Sequence, residues 1–235
     1  MSDTREKVNI NEVINEFVRK NRKVIFVFFS VIFLLLAGFI VTLGVMDMVR
    51  NKAIGRVEEF NRRYEVLRFD INEPAKEAET ADLLAELKGF AEKTSGYAGG
   101  RAWSIIGNIH ADKKEWQEAQ EAYTRAAKAA AKTYLAPVSY FNAAAAAEEQ
   151  GNNGEAVNLY TQSVAHSALF PAAARAQFSV GRLQETAGNK TAALEAYRGV
   201  ISGWPSDAVW TNLAHSRIIL LEMEEETEND TETEQ

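Results

Sequence analysis

The segment WSIIGNIHADKKEWQEAQEAYTRAA, residues 103–127, contains the pattern that decides the fold. Its first half places Trp103, Ile106, Gly107 and His110 at positions i, i+3, i+4 and i+7, which form one face of an α-helix. Its second half has small, aromatic and small residues at i, i+4 and i+7, namely Ala119, Tyr123 and Ala126. The segment therefore predicts two amphipathic helices that face each other as a hairpin.

This pattern recurs along the chain. Further copies begin at Tyr140 and Gln177, each 37 residues on, and a fourth begins at Trp210 and comprises one helix. The third position is always small, which lets two helices cross closely: Gly107, Ala144, Gly181 and Ala214. Turn-forming residues separate the helices: Asp112, Lys113, residues 151–154, Gly188, Asn189, and the prolines Pro137, Pro171 and Pro205. Identical hairpins of this kind stack into an extended array with a curved surface.

These residues resemble the tetratricopeptide repeat (TPR) family, whose unit is normally 34 residues long. The resemblance covers roughly residues 101 to 221 and implies an all-α fold, an α-solenoid of helical hairpins. With the N-terminal transmembrane helix predicted below, the fold class is all-α throughout. The first two copies carry about three extra residues. We expect the alanine-rich segment 126–136 to absorb them as most of one additional helical turn.

A long apolar segment precedes the repeats. Residues 24–46 contain no charged side chain and would extend roughly 34 Å as a helix, enough to cross a bilayer core of about 30 Å. A cleaved signal peptide is the alternative, but its apolar region should span only about 7 to 15 residues. The chain has no cysteine, which excludes attachment of a lipid to a lipoprotein cysteine. Residues 24–46 are therefore predicted to anchor the chain in a lipid bilayer.

Basic residues around this segment predict its orientation. Arg19, Lys20, Arg22 and Lys23 immediately precede it, whereas Arg50, Lys52 and Arg56 are more widely spaced after it. Since basic residues concentrate on the cytoplasmic side, we expect a single-pass protein of the bacterial inner membrane with a cytoplasmic N-terminus and a periplasmic repeat domain.

The sequence thus predicts five segments. They are a cytoplasmic N-terminal segment (1–23), a transmembrane helix (24–46), a helical stalk with a degenerate first hairpin that caps the array (47–99), a TPR domain of three repeats plus a C-terminal capping helix (100–221), and a disordered acidic tail (222–235). The tail holds eight carboxylates and no basic residue, and the rest of the chain carries 26 basic against 25 acidic residues. This balance argues against nucleic-acid binding.

The sequence shows no catalytic constellation. The histidines His110, His166 and His215 are isolated from one another, and no glycine-rich phosphate loop or nucleophile elbow is present. We therefore predict no enzymatic activity, no cofactor, no bound metal and no small-molecule substrate.

The TPR resemblance also implies a binding surface for other proteins. In that family the first helix of each hairpin lines the concave side, through residues that lie between the packing positions. Carried over to this chain, those residues are Arg101, Ser104, Asn108, Phe141, Ala145, Glu148, Phe178, Arg182, Glu185, Thr211 and His215. Phe141 and Phe178 are expected to stand next to each other, either as exposed anchors for a peptide or helix or packed against their neighbouring helices.

The layout as a whole resembles bacterial single-pass inner-membrane TPR proteins that accompany the Sec translocon and pass secreted chains to periplasmic chaperones. It implies a scaffold that mediates protein–protein interactions in translocation or envelope assembly. Three alternatives are a receptor with its repeats in the cytosol, as in organelle import, a regulatory subunit of an envelope enzyme complex, and an oligomeric structural element.

Overall fold

The computed structural model describes residues 10–69, 73–166 and 170–233. These ranges contain nine α-helices and no strand, which confirms the all-α prediction. The helices are α1 (Ile10–Arg68), α2 (Glu73–Ala91), α3 (Gly96–Asp112), α4 (Trp116–Ala129), α5 (Leu135–Glu149), α6 (Asn153–Val164), α7 (Ala173–Thr186), α8 (Lys190–Gly203) and α9 (Ala208–Thr233). The first nine residues of the predicted cytoplasmic segment and the last two of the acidic tail lie outside the described residues.

The chain divides into two compact units, Met1–Lys52 and Ala53–Gln235. In the first unit, α1 is apolar over residues 24–46 and exposes its large side chains there. It is long and apolar enough to cross a membrane, and no other helix in the described ranges meets that criterion. The second unit contains the repeats and the buried core.

The repeats form as the spacing predicts. Helices α3 and α4, α5 and α6, and α7 and α8 are the three hairpins, and α9 is the first helix of the fourth copy. Gly107 lies under the ring of Tyr123, and Gly181 under that of Tyr197, so that a Cβ at either glycine would come within 2.6 Å of ring carbons. The small third position is therefore required by the close approach of an aromatic ring from the second helix.

The turns inside the hairpins also fall where the sequence places them. The backbone of Lys114, Gly151 and Gly188 has φ of 59°, 73° and 75°, a left-handed conformation that favours glycine. The Asn152 side chain then caps α6 by accepting a hydrogen bond of 3.4 Å from the Glu155 backbone N–H.

Two local expectations were wrong. The extra residues of the first repeat do not lengthen α4, which ends at Ala129; they form a turn before α5 begins at Leu135. Pro137 lies within the first turn of α5, where its missing N–H has no helical partner to lose. The second difference concerns the acidic segment from 222 onward, which was expected to be disordered: the backbone of α9 instead continues as helix to Thr233.

Helix α2 and the end of α1 cover one side of α3. Val57, Phe60, Tyr64 and Leu67 share a buried cluster with residues of α2 and α3. Ion pairs across the surface of this cluster join Glu86 of α2 to Arg56 at 3.1 Å and to Arg63 at 2.9 Å. The apolar side of the first repeat is thereby removed from water.

Candidate partner-binding surface

A cavity of about 460 Å³ lies between the first two hairpins of the array. Its lining includes residues from three successive helices: Asn108 and Ala111 of α3, Trp116 and Tyr123 of α4, and Asn142 and Ala145 of α5. Two of the residues predicted to bind a partner, Asn108 and Ala145, therefore lie in the same cavity.

Hydrogen bonds fix part of the cavity wall. The Tyr123 hydroxyl donates to Oδ1 of Asn108 at 2.8 Å, and burial raises the pKa of Tyr123 to about 12. The side-chain amide of Asn142 makes no hydrogen bond to another described residue. Its donors and acceptor are thus open to a bound group.

The end of α1 closes one edge of the cavity. The Tyr64 hydroxyl donates to Asp112 Oδ2 at 2.7 Å, and the Arg68 Nε lies 3.5 Å from the same oxygen. Burial, followed by the hydrogen bond to the Asp112 carboxylate, raises the pKa of Tyr64. A guanidinium, a carboxylate and a phenol hydroxyl therefore lie at the edge of a cavity that is otherwise lined by both polar and apolar residues.

The next interface between repeats has a charged cluster in the corresponding place. Arg182 of α7 pairs with Glu148 Oε1 of α5 at 2.6 Å, and the Tyr160 hydroxyl donates to Oε2 of the same carboxylate at 3.3 Å. Burial raises the pKa of Tyr160 to about 12, and the nearby Glu148 charge acts in the same direction. The cluster joins three helices from two successive repeats.

The same arrangement recurs one repeat further on. Glu185 of α7 accepts the Tyr197 hydroxyl at 2.7 Å, and it forms two hydrogen bonds with Arg217 of α9, the one from Nε being 3.1 Å long. Burial raises the pKa of Tyr197. Paired Arg–carboxylate contacts of this kind are directional and fix the register of neighbouring helices.

The cavity exists where this cluster is missing. Ala111 occupies the position equivalent to Glu148 and Glu185, 37 and 74 residues earlier, and Ala145 stands at the position of Arg182. Two methyl groups replace a carboxylate and a guanidinium, and the space between α3 and α5 stays open. The sequence alone contained part of this signal, because Ala111 breaks a pattern that Glu148 and Glu185 keep in the later repeats.

Phe141 and Phe178 pack with different apolar clusters. The Phe141 ring packs against Tyr160 and Phe170, with centroid distances of 5.2 and 5.6 Å, and the Arg175 guanidinium lies 5.1 Å from its centre. Phe178 contacts the rings of Tyr197 and Trp210, at 5.2 and 5.3 Å. Both side chains are mostly buried in separate apolar clusters, which favours the packing alternative for each.

The remaining predicted residues are dispersed. Ser104 and Thr211 are buried, at 4% and 8% exposure, and so do not form an open surface. Arg101 donates to Asn61 Oδ1 of α1 at 2.9 Å, and His215 is exposed on α9. Among the residues that the structure describes, no group of three His, Asp or Glu side chains is placed to hold a metal ion.

Sequence reasoning missed several residues of the surface. Tyr64, Arg68, Trp116 and Asn142 line the cavity but lie outside the first-helix positions taken from the family pattern, or on helices that the pattern does not cover. Arg217, which belongs to the charged cluster with Glu185, could have been singled out from the sequence, since a charged residue there replaces the bulky apolar residue of the repeat.

Comparison with known proteins agrees with this architecture. The tetratricopeptide repeat family model matches residues 141–208. A "TPR repeat-containing protein" from Treponema pallidum is 35% identical, and the match covers 75% of this chain and 80% of the relative. The chain therefore belongs to the tetratricopeptide repeat family. TPR arrays act as scaffolds that bind other proteins or peptides, typically without catalysis of their own.

Proposed function

We propose that this chain is a membrane-anchored adaptor that holds segments of other proteins at the periplasmic face of a bacterial inner membrane, in protein translocation or envelope assembly with chaperones. The observation that carries the proposal is the cavity between the first two hairpins, where Ala111 and Ala145 replace a charged cluster. Its occupant is a side chain of an extended segment or helix of the partner, the mode of recognition that grooves between helices commonly provide.

The chemistry of the cavity indicates what such a partner presents. Asn142 and Asn108 offer amide groups that suit a peptide backbone, while Trp116 supplies apolar contact area. Arg68 and Asp112 at the edge give charge of both signs, which fixes the register of a bound segment more than it adds affinity. No phosphate or nucleic-acid preference follows from this set.

The anchor is supported by the exposed apolar surface of α1. Residues 24–46 include sixteen large apolar side chains that are exposed, and none of the most apolar part of the helix is buried. Contiguous apolar surface of this extent is unstable in water and stable in lipid. The cluster of Arg19, Lys20, Arg22 and Lys23 before it supports a cytoplasmic N-terminus.

Site-specific crosslinking tests the proposed groove. We expect a photocrosslinking residue at position 142 to capture partner proteins, and one at position 158 to capture none. Asn158 is the matched control, because it is an exposed asparagine on the second helix of the same hairpin. Ala145→Leu, which fills the cavity, should abolish capture at 142. Equal capture at both positions, or capture that Ala145→Leu leaves unchanged, would contradict the groove.

The orientation is tested separately. Since the chain has no cysteine, Ser206→Cys introduces a single thiol in the exposed turn between α8 and α9. We expect a membrane-impermeant maleimide to label it in cells with a permeabilised outer membrane, and to label Ser2→Cys only after lysis. The reverse result would assign the repeats to the cytosol and favour the import-receptor alternative.

A further inference from the structure

Helix α9 exposes a second apolar face. Its inner face, with Ala214, Ile218 and Leu221, is buried against the preceding repeat. On the opposite side four large apolar residues are 44–64% exposed: Val209, Leu213, Ile219 and Leu220. A helix that is apolar on two opposite faces is normally covered on both.

The positions equivalent to this outer face are buried in the preceding repeats. The residues equivalent to Val209 in the three preceding first helices are Ala102, Ser139 and Ala176, and each is 0% exposed. Those equivalent to Ser216 are Ile109, Ala146 and Leu183, and each is at most 3% exposed. Ala102 and Ile109 share a buried cluster with α1 and α2, and Ala146, Ala176 and Leu183 share one with α4 and α6, so neighbouring helices cover these positions. In addition, a second helix packs on each of the first helices α3, α5 and α7, whereas none follows α9 among the described residues, and the outer face of α9 is left open there.

Two pairs of the apolar residues are arranged symmetrically about Ser216. Leu213 and Ile219 lie three positions before and after it, and Leu220 lies four positions after it, so that all three fall within about 60° of Ser216 around the helix. Val209 and Met223 lie seven positions on either side. The Ser216 hydroxyl donates to the Asn212 carbonyl at 3.0 Å, which leaves a small, satisfied residue at the centre. The pairs at three and at seven positions are apolar on both sides, as a two-fold axis through an antiparallel helix pair requires, whereas the counterpart of Leu220 is Asn212.

We propose that this face, the α9 stripe (Val209, Leu213, Ser216, Ile219 and Leu220), joins two copies of the chain through an antiparallel contact centred on Ser216. In this arrangement Leu213 of one copy meets Ile219 of the other, and the small Ser216 lets the two helices approach closely.

Charge determines the direction of the pair. Eight carboxylates follow from Glu222 onward without a basic residue. A parallel pair would place these two acidic segments side by side, and like charges at such short range repel. An antiparallel pair separates them and places each beyond the N-terminal end of the partner helix, where negative charge is favoured.

The contact is small. The stripe from Val209 to Leu220 spans roughly 16 Å of a single helix. It therefore offers less area than the about 800 Å² that each partner contributes to a standard protein interface. We therefore expect a reversible dimer whose population depends on concentration, and confinement to a membrane would raise the effective concentration of the two copies.

Cysteine crosslinking of the full-length chain in detergent tests the arrangement without background, since the chain has no cysteine. Ser216→Cys should form an intermolecular disulfide under mild oxidation, whereas Asn158→Cys, on the outer side of α6, should not. In mixtures of differently tagged chains, Leu213→Cys should crosslink with Ile219→Cys several-fold faster than with itself. Preferred crosslinking of Leu213→Cys with itself would overturn the antiparallel arrangement.

The mass of the detergent-solubilised chain, measured by light scattering, provides a second test. Leu220→Glu should weaken the dimer by at least about tenfold, because burying an unpaired carboxylate is costly. The urea concentration at the midpoint of unfolding should be the same for the Leu220→Glu variant as for the unchanged chain. A chain that remains monomeric up to about 0.1 mM would overturn the proposal. The groove experiment at position 142 is independent of this result.

Discussion

Replacing Phe178 by alanine decides whether this ring belongs to the core or to a binding surface. The ring is mostly buried, so its burial contributes most of the roughly 1.5–3 kcal/mol of a fully buried side chain. Its contacts with Tyr197 and Trp210, at 5.2 and 5.3 Å, add about 0.5–1.5 kcal/mol each. Phe178→Ala should therefore lower the free energy of unfolding by about 3 kcal/mol, or the melting temperature by about 6–12 °C for a domain of this size.

Tryptophan fluorescence measures this effect on the full-length chain in detergent. Trp103, Trp116, Trp204 and Trp210 all lie in the repeat region and none lies in the apolar segment 24–46, so the signal follows unfolding of the repeats alone. Val66→Ala is the control, because this valine is 71% exposed and its truncation should change stability by less than about 0.5 kcal/mol. If the unfolding midpoint of Phe178→Ala equals that of Val66→Ala, the packing argument is refuted and Phe178 is again a candidate anchor for a partner.

Three further predictions concern the interior of the array, and urea unfolding followed by tryptophan fluorescence checks each. Gly181→Ala should lower the free energy of unfolding by about 1–3 kcal/mol, because the new Cβ would lie 2.6 Å from the fully buried Tyr197 ring. Gly89→Ala is the control: this glycine has open space around it, so the substitution should be neutral or stabilising. Equal effects of the two substitutions would contradict the close approach. Ser139→Ala should stabilise by about 1–2 kcal/mol, since the Ser139 hydroxyl is buried without a hydrogen-bond partner among the described residues, and a loss of stability would reveal a partner. The free energy of unfolding should fall as the pH rises above 10 toward 12, because the unfolded chain then loses tyrosine protons that the folded chain retains. Tyr160→Phe should make this dependence of stability on pH less steep. An unchanged pH dependence would exclude Tyr160 as a contributor.

The helix hairpins were predictable because their packing depends on single positions at a fixed period. Gly107 and Tyr123 meet in the structure as their spacing requires, and the same pairing recurs at Gly181 and Tyr197. Helix existence and register follow from such local patterns. The length of α4 did not, because alanine-rich residues have high helix propensity and the turn after Ala129 is set by how the next hairpin stacks.

The candidate site was less predictable because it depends on side chains that are far apart in the sequence. Arg182 reaches Glu148 across 34 residues and Arg217 reaches Glu185 across 32, from positions that are not equivalent in their repeats. No single period describes both pairs. Phe141 illustrates the same limit, since its position between packing residues is compatible with a groove, and only the placement of Phe170 shows that the ring is covered.

The cavity and the α9 stripe lie at different hairpins and share no residue. Association of two copies through Ser216 would therefore leave both cavities free. A partner with two suitable segments could then occupy both, and the second contact would form at a high effective concentration without any new interaction. Such a dimer binds a single short segment with the affinity of one cavity, but it holds a chain with repeated segments more tightly. Leu220→Glu should consequently weaken capture of a two-segment partner and leave capture of a one-segment peptide unchanged.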